Sequence, residues 1–339
     1  MSGIDPPRRL LTGLLVVGLA VLVLVSFGLG RFVVNPVEVA KILFGNTFGR
    51  PETWPSEEQA VVIDIRLPRI LAALLVGGSL SASGAAYQSM FRNPLVSPEI
   101  LGVTAGAGFG AAAGILANQS SAVVQILAFV GGLAAAMIAV MIARVVGGGS
   151  LTILVLAGVV VGALFNALIS GTQYFANPEN TLPEITFWLF GSLSRATMSG
   201  LIVPASICGA CLVALYTVRW PLTVLAAGDD AAQTLGINRK VVWAVVIISS
   251  TLLAATVTSI AGIIGWVGLV VPYLGRSLVG SSFYRLLPMS VLLGAGYLLA
   301  VDDVARSATA LDLPLGILTA IVGVPFFVVL LARSSRRWS

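Results

Sequence analysis

Uncharged stretches long enough to cross a bilayer recur from one end of this chain to the other. Leu10 to Gly30 carries no charge, and neither does Leu151 to Tyr174. A hydrocarbon core of about 30 Å needs about 20 apolar residues per helix. Inside that core the backbone must satisfy its own hydrogen bonds, which confines each run to helix. The 339 residues therefore hold about ten spans at that length, with no room for a sizeable soluble domain. Only 10% of the residues are charged, against about 25% in a soluble domain, and the mean hydropathy is +1.01.

Apolar runs bounded by charges, Pro-Gly clusters or polar loops place the spans near 10–30, 67–91, 98–116, 121–143, 151–174, 200–218, 240–262, 264–280, 286–303 and 314–333. The expected fold is all-α, one transmembrane domain over 1–339 with a short N-terminal tail at 1–9. That N-terminal run reads as a retained first helix, because no small-residue cleavage site follows it. Segment 182–193, LPEITFWLFGSL, is too short to cross and aromatic enough for an interface, so it is expected as a short external helix.

The net charge of +5 is not a nucleic-acid signal, because the basic residues stand singly at the ends of apolar runs. With the N-terminus inside, the inner side receives twelve basic and four acidic residues, and the outer side seven and ten. That asymmetry fits a cytoplasmic-membrane protein with both termini in the cytoplasm. The chain has no histidine, so the commonest metal ligand and proton shuttle is missing. Cys208 and Cys211 form a C-x-x-C inside an apolar run with no second pair, which reads as small residues packing a helix face and not as a metal site. Gly102, Gly106, Gly110 and Gly114 recur every fourth position, and Gly158 and Gly162 repeat the device. The pattern suits close helix packing and lacks the G-x-G-x-x-G of a dinucleotide loop.

Residues 66–114, RLPRILAALLVGGSLSASGAAYQSMFRNPLVSPEILGVTAGAGFGAAAG, are the most informative. Pro94 ends the second span, and Ser97 with Pro98 is expected to cap the third, giving a tight cytoplasmic turn. GDDAAQTLGI at 228–237 reads as a short helix with Asp229 as N-cap and Gly236 in left-handed geometry at its end. Arg66 and Arg69, three apart, share a helix face at the outer edge, and Arg306 ends the ninth span. Asp302 and Asp303 stand at pairing distance from Arg306 along the helix. Asn166, Ser170 and Gln173, with Gly162 one turn earlier and Tyr174 beside them, form a polar face on the fifth span. Such a face lines a pathway or bonds to neighbouring helices.

The 66–114 stretch, together with GDDAAQTLGI, GIIGWVGLVVPYLGRSLVG (262–280), LLPMSVLLGAGYLLAVDDVAR (286–306) and LPLGILTAIVGVPFFVVLLAR (313–333), resembles the permeases of type II ATP-binding cassette importers, the FecCD family. The resemblance runs from about residue 60 onward. It implies a ten-helix permease, working as a homodimer or pseudo-dimer, that imports ferric siderophores or, alternatively, haem, cobalamin or molybdate-like oxyanions. By that resemblance Asp229, Asp230, Ala231, Gln233, Leu235 and Gly236 form the coupling helix that docks on the ATPase. Arg66, Arg69 and Arg306 receive acidic residues of a periplasmic or lipid-anchored substrate-binding protein. Gly162, Asn166, Ser170, Gln173 and Tyr174 line the translocation pathway between the two copies, and Asn93 and Leu95 lie near the cytoplasmic gate. One departure is Tyr273, where family members usually carry histidine.

No G-x-x-x-x-G-K-[ST] occurs, so two separate ATPase subunits are expected to bind ATP and Mg, with no cofactor and no enzymatic chemistry on this chain. A gradient-driven secondary transporter is the competing class. It usually needs mid-membrane carboxylates, whereas the acids here are expected at span ends or in loops.

Overall fold

A computed structural model describes residues 6–30, 32, 34–48, 54–148, 150–308 and 312–335. Of the charges counted above, Asp5, Arg31, Arg50, Glu52, Arg336 and Arg337 lie outside these residues. The chain begins with α1 (Pro6–Gly28) and α2 (Pro36–Phe48). Next, α3 (Ser56–Gln59) runs through a π-helical stretch, Ala60–Arg66, into α4 (Leu67–Met90). A 3₁₀ turn, Pro98–Leu101, precedes α5 (Val103–Leu116), followed by α6 (Ser121–Gly147), α7 (Leu151–Phe175), α8 (Thr181–Leu189) and α9 (Met198–Thr217). The remainder is α10 (Arg219–Ala227), α11 (Asp229–Thr234), α12 (Arg239–Ala261), α13 (Val267–Val279), α14 (Phe283–Ser307) and α15 (Leu315–Ser335). No strand occurs among the described residues. Six of these helices are long and apolar enough to cross a membrane, and α5, α13 and α15 are shorter apolar helices.

Every expected span contains a helix, and α8 is the expected short helix. The helix α2 was not expected. Asn35 starts it, its Oδ1 accepting from the Val37 backbone N–H at 2.9 Å, with Pro36 in the first turn where a missing N–H costs nothing.

The helix α4 is the centre of the bundle, packed against α12, α13 and α14 and buried on nearly every face from Ala72 to Met90. Its small residues allow this. A β-carbon at Gly77 would overlap the Gly294 carbonyl oxygen, and one at Gly84 the Gly268 carbonyl oxygen, so the backbones of α14 and α13 lie directly on α4. The glycine stripe of α5 does the same against α6, with Gly106 on Gly131 and Gly110 on Leu127. The packing reading of those repeats thus describes their contacts.

Two crossings are shorter than expected, and both are broken at depth. The segment after α4 turns back tightly, the Asn93 N–H donating to the Gln88 carbonyl at 3.1 Å and the Val96 N–H to the Asn93 carbonyl at 3.4 Å, and it runs into the bundle towards residue 97. Ser97 makes no side-chain capping bond, and the helical turn it precedes stops at Gly102, whose φ of +74° is left-handed. Only then does α5 begin, with the Val103 carbonyl against Gly132, near the middle of α6. From the other side, residues 262–266 leave the end of α12 and enter the bundle without helix. There Gly268, in the first turn of α13, meets Pro98 and the carbonyl of Leu80, halfway along α4.

Gly84→Ala is expected to destabilise the protein by about 1–3 kcal/mol, since its β-carbon meets backbone that has nowhere to move. Gly209→Ala, with open space around it, is expected to stay within about 0.5 kcal/mol. Thermal unfolding of the two variants in one detergent checks the pair.

Candidate functional site

At the C-terminal end of α4, α10 and α11 form an exposed platform. Asp229, Asp230, Gln233, Leu235 and Gly236 are exposed there, Leu235 at 56% although apolar. Ala231 lies within α11, and Gly236 takes the expected left-handed φ of +68°. Asp229 is the first residue of α11, but its carboxylate is engaged elsewhere. It accepts from Arg92 and, at 3.0 Å, from Arg239. Those guanidinium groups, Arg92 first, hold the Asp229 carboxyl below its ordinary range. Arg92 also donates to the Leu225 carbonyl of α10 at 2.5 Å. One side chain therefore joins the platform to the 91–97 segment. Asn93 and Leu95 sit on that segment, both exposed, with Asn93 Oδ1 accepting from the Leu95 N–H at 2.9 Å.

On α7, Asn166 and Ser170 are exposed, Gln173 is half-buried, and Tyr174 is 84% exposed. Ser170 bonds only back to the Asn166 carbonyl, at 3.1 Å. These groups point away from their own bundle, so interhelical bonding within one copy does not account for them. Gly162 differs: it lies against Gly102, and its neighbour Gly158 against the Ile100 carbonyl, so this pair seats the 3₁₀ turn on α7.

At the N-terminal end of α4, Arg66, Arg69 and Arg306 are brought together, with most of their donors spent inside the protein and Arg306 Nε buried without a hydrogen bond. They are 4%, 8% and 6% exposed. Arg69 Nε donates to both oxygens of Asp302, at 3.0 and 2.9 Å, and Nη1 to Asp312 at 2.6 Å. Arg306 pairs with Asp303 and donates to the Ser26 carbonyl at 2.6 Å, while Arg66 donates to the Phe27 and Phe32 carbonyls. Guanidinium groups thus cover carbonyls left open at the C-terminus of α1. Asp302 binds Arg69 more closely than Arg306, whose Nε is 4.0 Å away. Beside this cluster, under α8, lies a recess of about 520 Å³ lined by Gln119, Gln125, Glu184, Trp188, Ser192 and Arg195.

Asp302 and Asp303, expected at a span end, fall in the last two turns of α14. Asp302 and Asp303 are fully or nearly buried within α14, where charge is tolerated because arginines neutralise it. Glu99 belongs to the deep 3₁₀ turn, next to Gly265. Arg92, Glu99 and Asp312 are the residues that sequence reading missed. An arginine directly after the helix and an acid directly after Pro98 were the available signals. Tyr273 packs edge-on against Phe326, ring centroids 6.0 Å apart, and Cys208 and Cys211 are buried free thiols.

The FecCD transport family profile matches residues 18–333. The chain belongs to the FecCD transport family. A relative from Haemophilus influenzae, named as a molybdate import system permease protein, is 37% identical over 98% of both chains. Another from Yersinia pestis, named as a hemin transport system permease protein, is 33% identical over 100% of both. A solved structure of a metal-chelate type ABC transporter in an inward-facing conformation superposes with a TM-score of 0.83 at 36% identity, covering 96% of this chain and 99% of that one. In this FecCD permease, Asp302→Ala removes the buried, bidentate partner of Arg69 and leaves it only Asp312, and is expected to cost about 3–5 kcal/mol. Glu38→Ala, which breaks the exposed pair with Lys41, is expected to cost no more than about 1 kcal/mol. Melting curves in mild detergent distinguish the two.

Proposed function

We propose that this FecCD permease is the membrane-spanning subunit of an ATP-driven importer that carries a ferric siderophore or related metal chelate across the cytoplasmic membrane. The observation that carries this reading is the outward-facing polar face of α7, Asn166, Ser170 and Tyr174. Polar groups in a spanning helix do not face lipid cheaply. A second copy of the chain, set against α7, would enclose them in a central pathway. The charge asymmetry puts the α10–α11 platform and both termini in the cytoplasm, where two ATPase subunits, holding ATP and Mg, would dock on Asp229, Asp230, Gln233 and exposed Leu235.

Movement of that platform has a physical route into the membrane. Arg92 ties Asp229 and Leu225 to the segment bearing Asn93 and Leu95, and that segment leads to the 3₁₀ turn seated on α7. Closure of the ATPases would thus shift the inner gate and the pathway wall together. At the outer end, acidic residues of a substrate-binding protein would exchange with Asp302, Asp303 or Asp312 for Arg66, Arg69 and Arg306. Haem, cobalamin and molybdate-like oxyanions are the alternative cargoes, and the hemin and molybdate relatives keep them in view.

Purification from the native membrane in mild detergent, with mass spectrometry of what accompanies the chain, tests the reading. A P-loop ATPase and a binding protein still holding an iron chelate are the expected companions. Recovery of the intact permease without any ATPase, where other complexes survive, would contradict it.

A further inference from the structure

Residues 97–102 and 262–266 bring backbone outside any α-helix to the middle of α4 from opposite sides, and they meet where Glu99 faces Gly265. Glu99, Ile100, Ile263, Gly265 and Trp266 are all only partly buried. Irregular backbone at this depth is tolerated only where protein covers it or water wets it. A partly exposed patch of it does not face lipid. Trp266 holds a φ of +71°, a conformation that costs a bulky residue energy and that clusters at functional positions. Its ring packs against Gly323 and Phe327 of α15, so the strained residue is clamped. The Glu99 carboxyl has no hydrogen-bond or ion-pair partner among the described residues, in contrast to buried Asp302 and Asp303, which are both paired.

We propose that Glu99, framed by Gly265 and Trp266, is a carboxylate site on the wall of the aqueous pathway that binds cationic and hydrogen-bond-donating groups of the passing cargo. The inference rests on the pathway reading of α7, to which the turn carrying Glu99 is joined through Gly102 and Gly158. It refines that reading by adding a charged wall to a face otherwise lined by neutral groups. Ammonium, amide N–H and hydroxyl groups on a chelate find an acceptor here. A bare oxyanion is opposed at the same point.

Gly265 makes the site testable, because a β-carbon there would stand 3.4 Å from Glu99 Oε1. In a Cys208→Ala, Cys211→Ala background in lipid nanodiscs at pH 8, Gly265→Cys is treated with a trimethylammonium or a sulfonate methanethiosulfonate. The cationic-to-anionic rate ratio at Gly265→Cys is expected to exceed that at Asn166→Cys about tenfold, the thiolate's own preference for the cation being common to both, and Glu99→Gln is expected to bring it down to the Asn166→Cys value. Asn166→Cys serves as the α7 control. If Asn166→Cys reacts while Gly265→Cys is silent, or the ratio ignores Glu99→Gln, the site is overturned and the pathway reading stands. If neither reacts, the pathway reading fails and this inference with it. Should Gly265→Cys not fold, Glu99→Cys reports water access, and its silence beside a reactive Asn166→Cys overturns the proposal equally.

Discussion

A backbone amide in hydrocarbon must find its hydrogen-bond partner within the protein or in enclosed water. This chain satisfies that rule with helix nearly everywhere and breaks helix at depth in two places, the turn ending at Gly102 and the segment 262–266. Both breaks lean on α4, whose small residues let Gly268 and Gly294 approach to backbone contact. A bundle of larger residues would hold its neighbours further away and leave those segments unsupported. The glycines of α4 are thus what allows irregular backbone, and a carboxylate on it, to exist at that depth.

The same helix joins the two ends of the molecule. Arg66 and Arg69 at one end tie α4 to the C-terminus of α1, to α14 and to Asp312, and Arg92 just past the other end ties it to α10 and α11. The two ends differ in burial. The first cluster is nearly closed to water, so its charges are costly to separate unless another acid takes the place of the one that leaves. Arg92 and Asp229 are about half exposed, where ion pairs are weak and exchangeable. A tight clamp at one end of α4 and a loose latch at the other suit the movement proposed for the α10–α11 platform.

Much of this was legible in the sequence. Apolar run length located ten helices, six of them clear spans, the four-residue glycine repeat marked α5 as a helix packed closely on a neighbour, and Gly236 marked the end of α11. Three features were not legible, each for a physical reason. Ser97-Pro98 has the composition of a helix start, yet the left-handed Gly102 interrupts it, and a local cap signal does not reveal a break one turn further on. Residues 36–48 carry charge and are too short to cross, so a criterion built on crossing length passed over α2, although Asn35-Pro36 marks its beginning. The inward turn of Arg66, Arg69 and Arg306 depends on Asp312 and on carbonyls of α1, far away in sequence. The pairing of Arg306 with Asp303, being local to one helix, was foreseeable.

Coupling of cargo movement to ATP hydrolysis on a separate subunit is what we propose for this permease. The direct measurement is uptake of a radiolabelled ferric siderophore into proteoliposomes containing the permease, the ATPase and the binding protein recovered with it, with ATP supplied or withheld and with ion gradients intact or collapsed. Uptake is expected to require ATP and both partners and to persist after the gradients are collapsed. Uptake by the permease alone, driven by a proton or sodium gradient and indifferent to ATP, would contradict it.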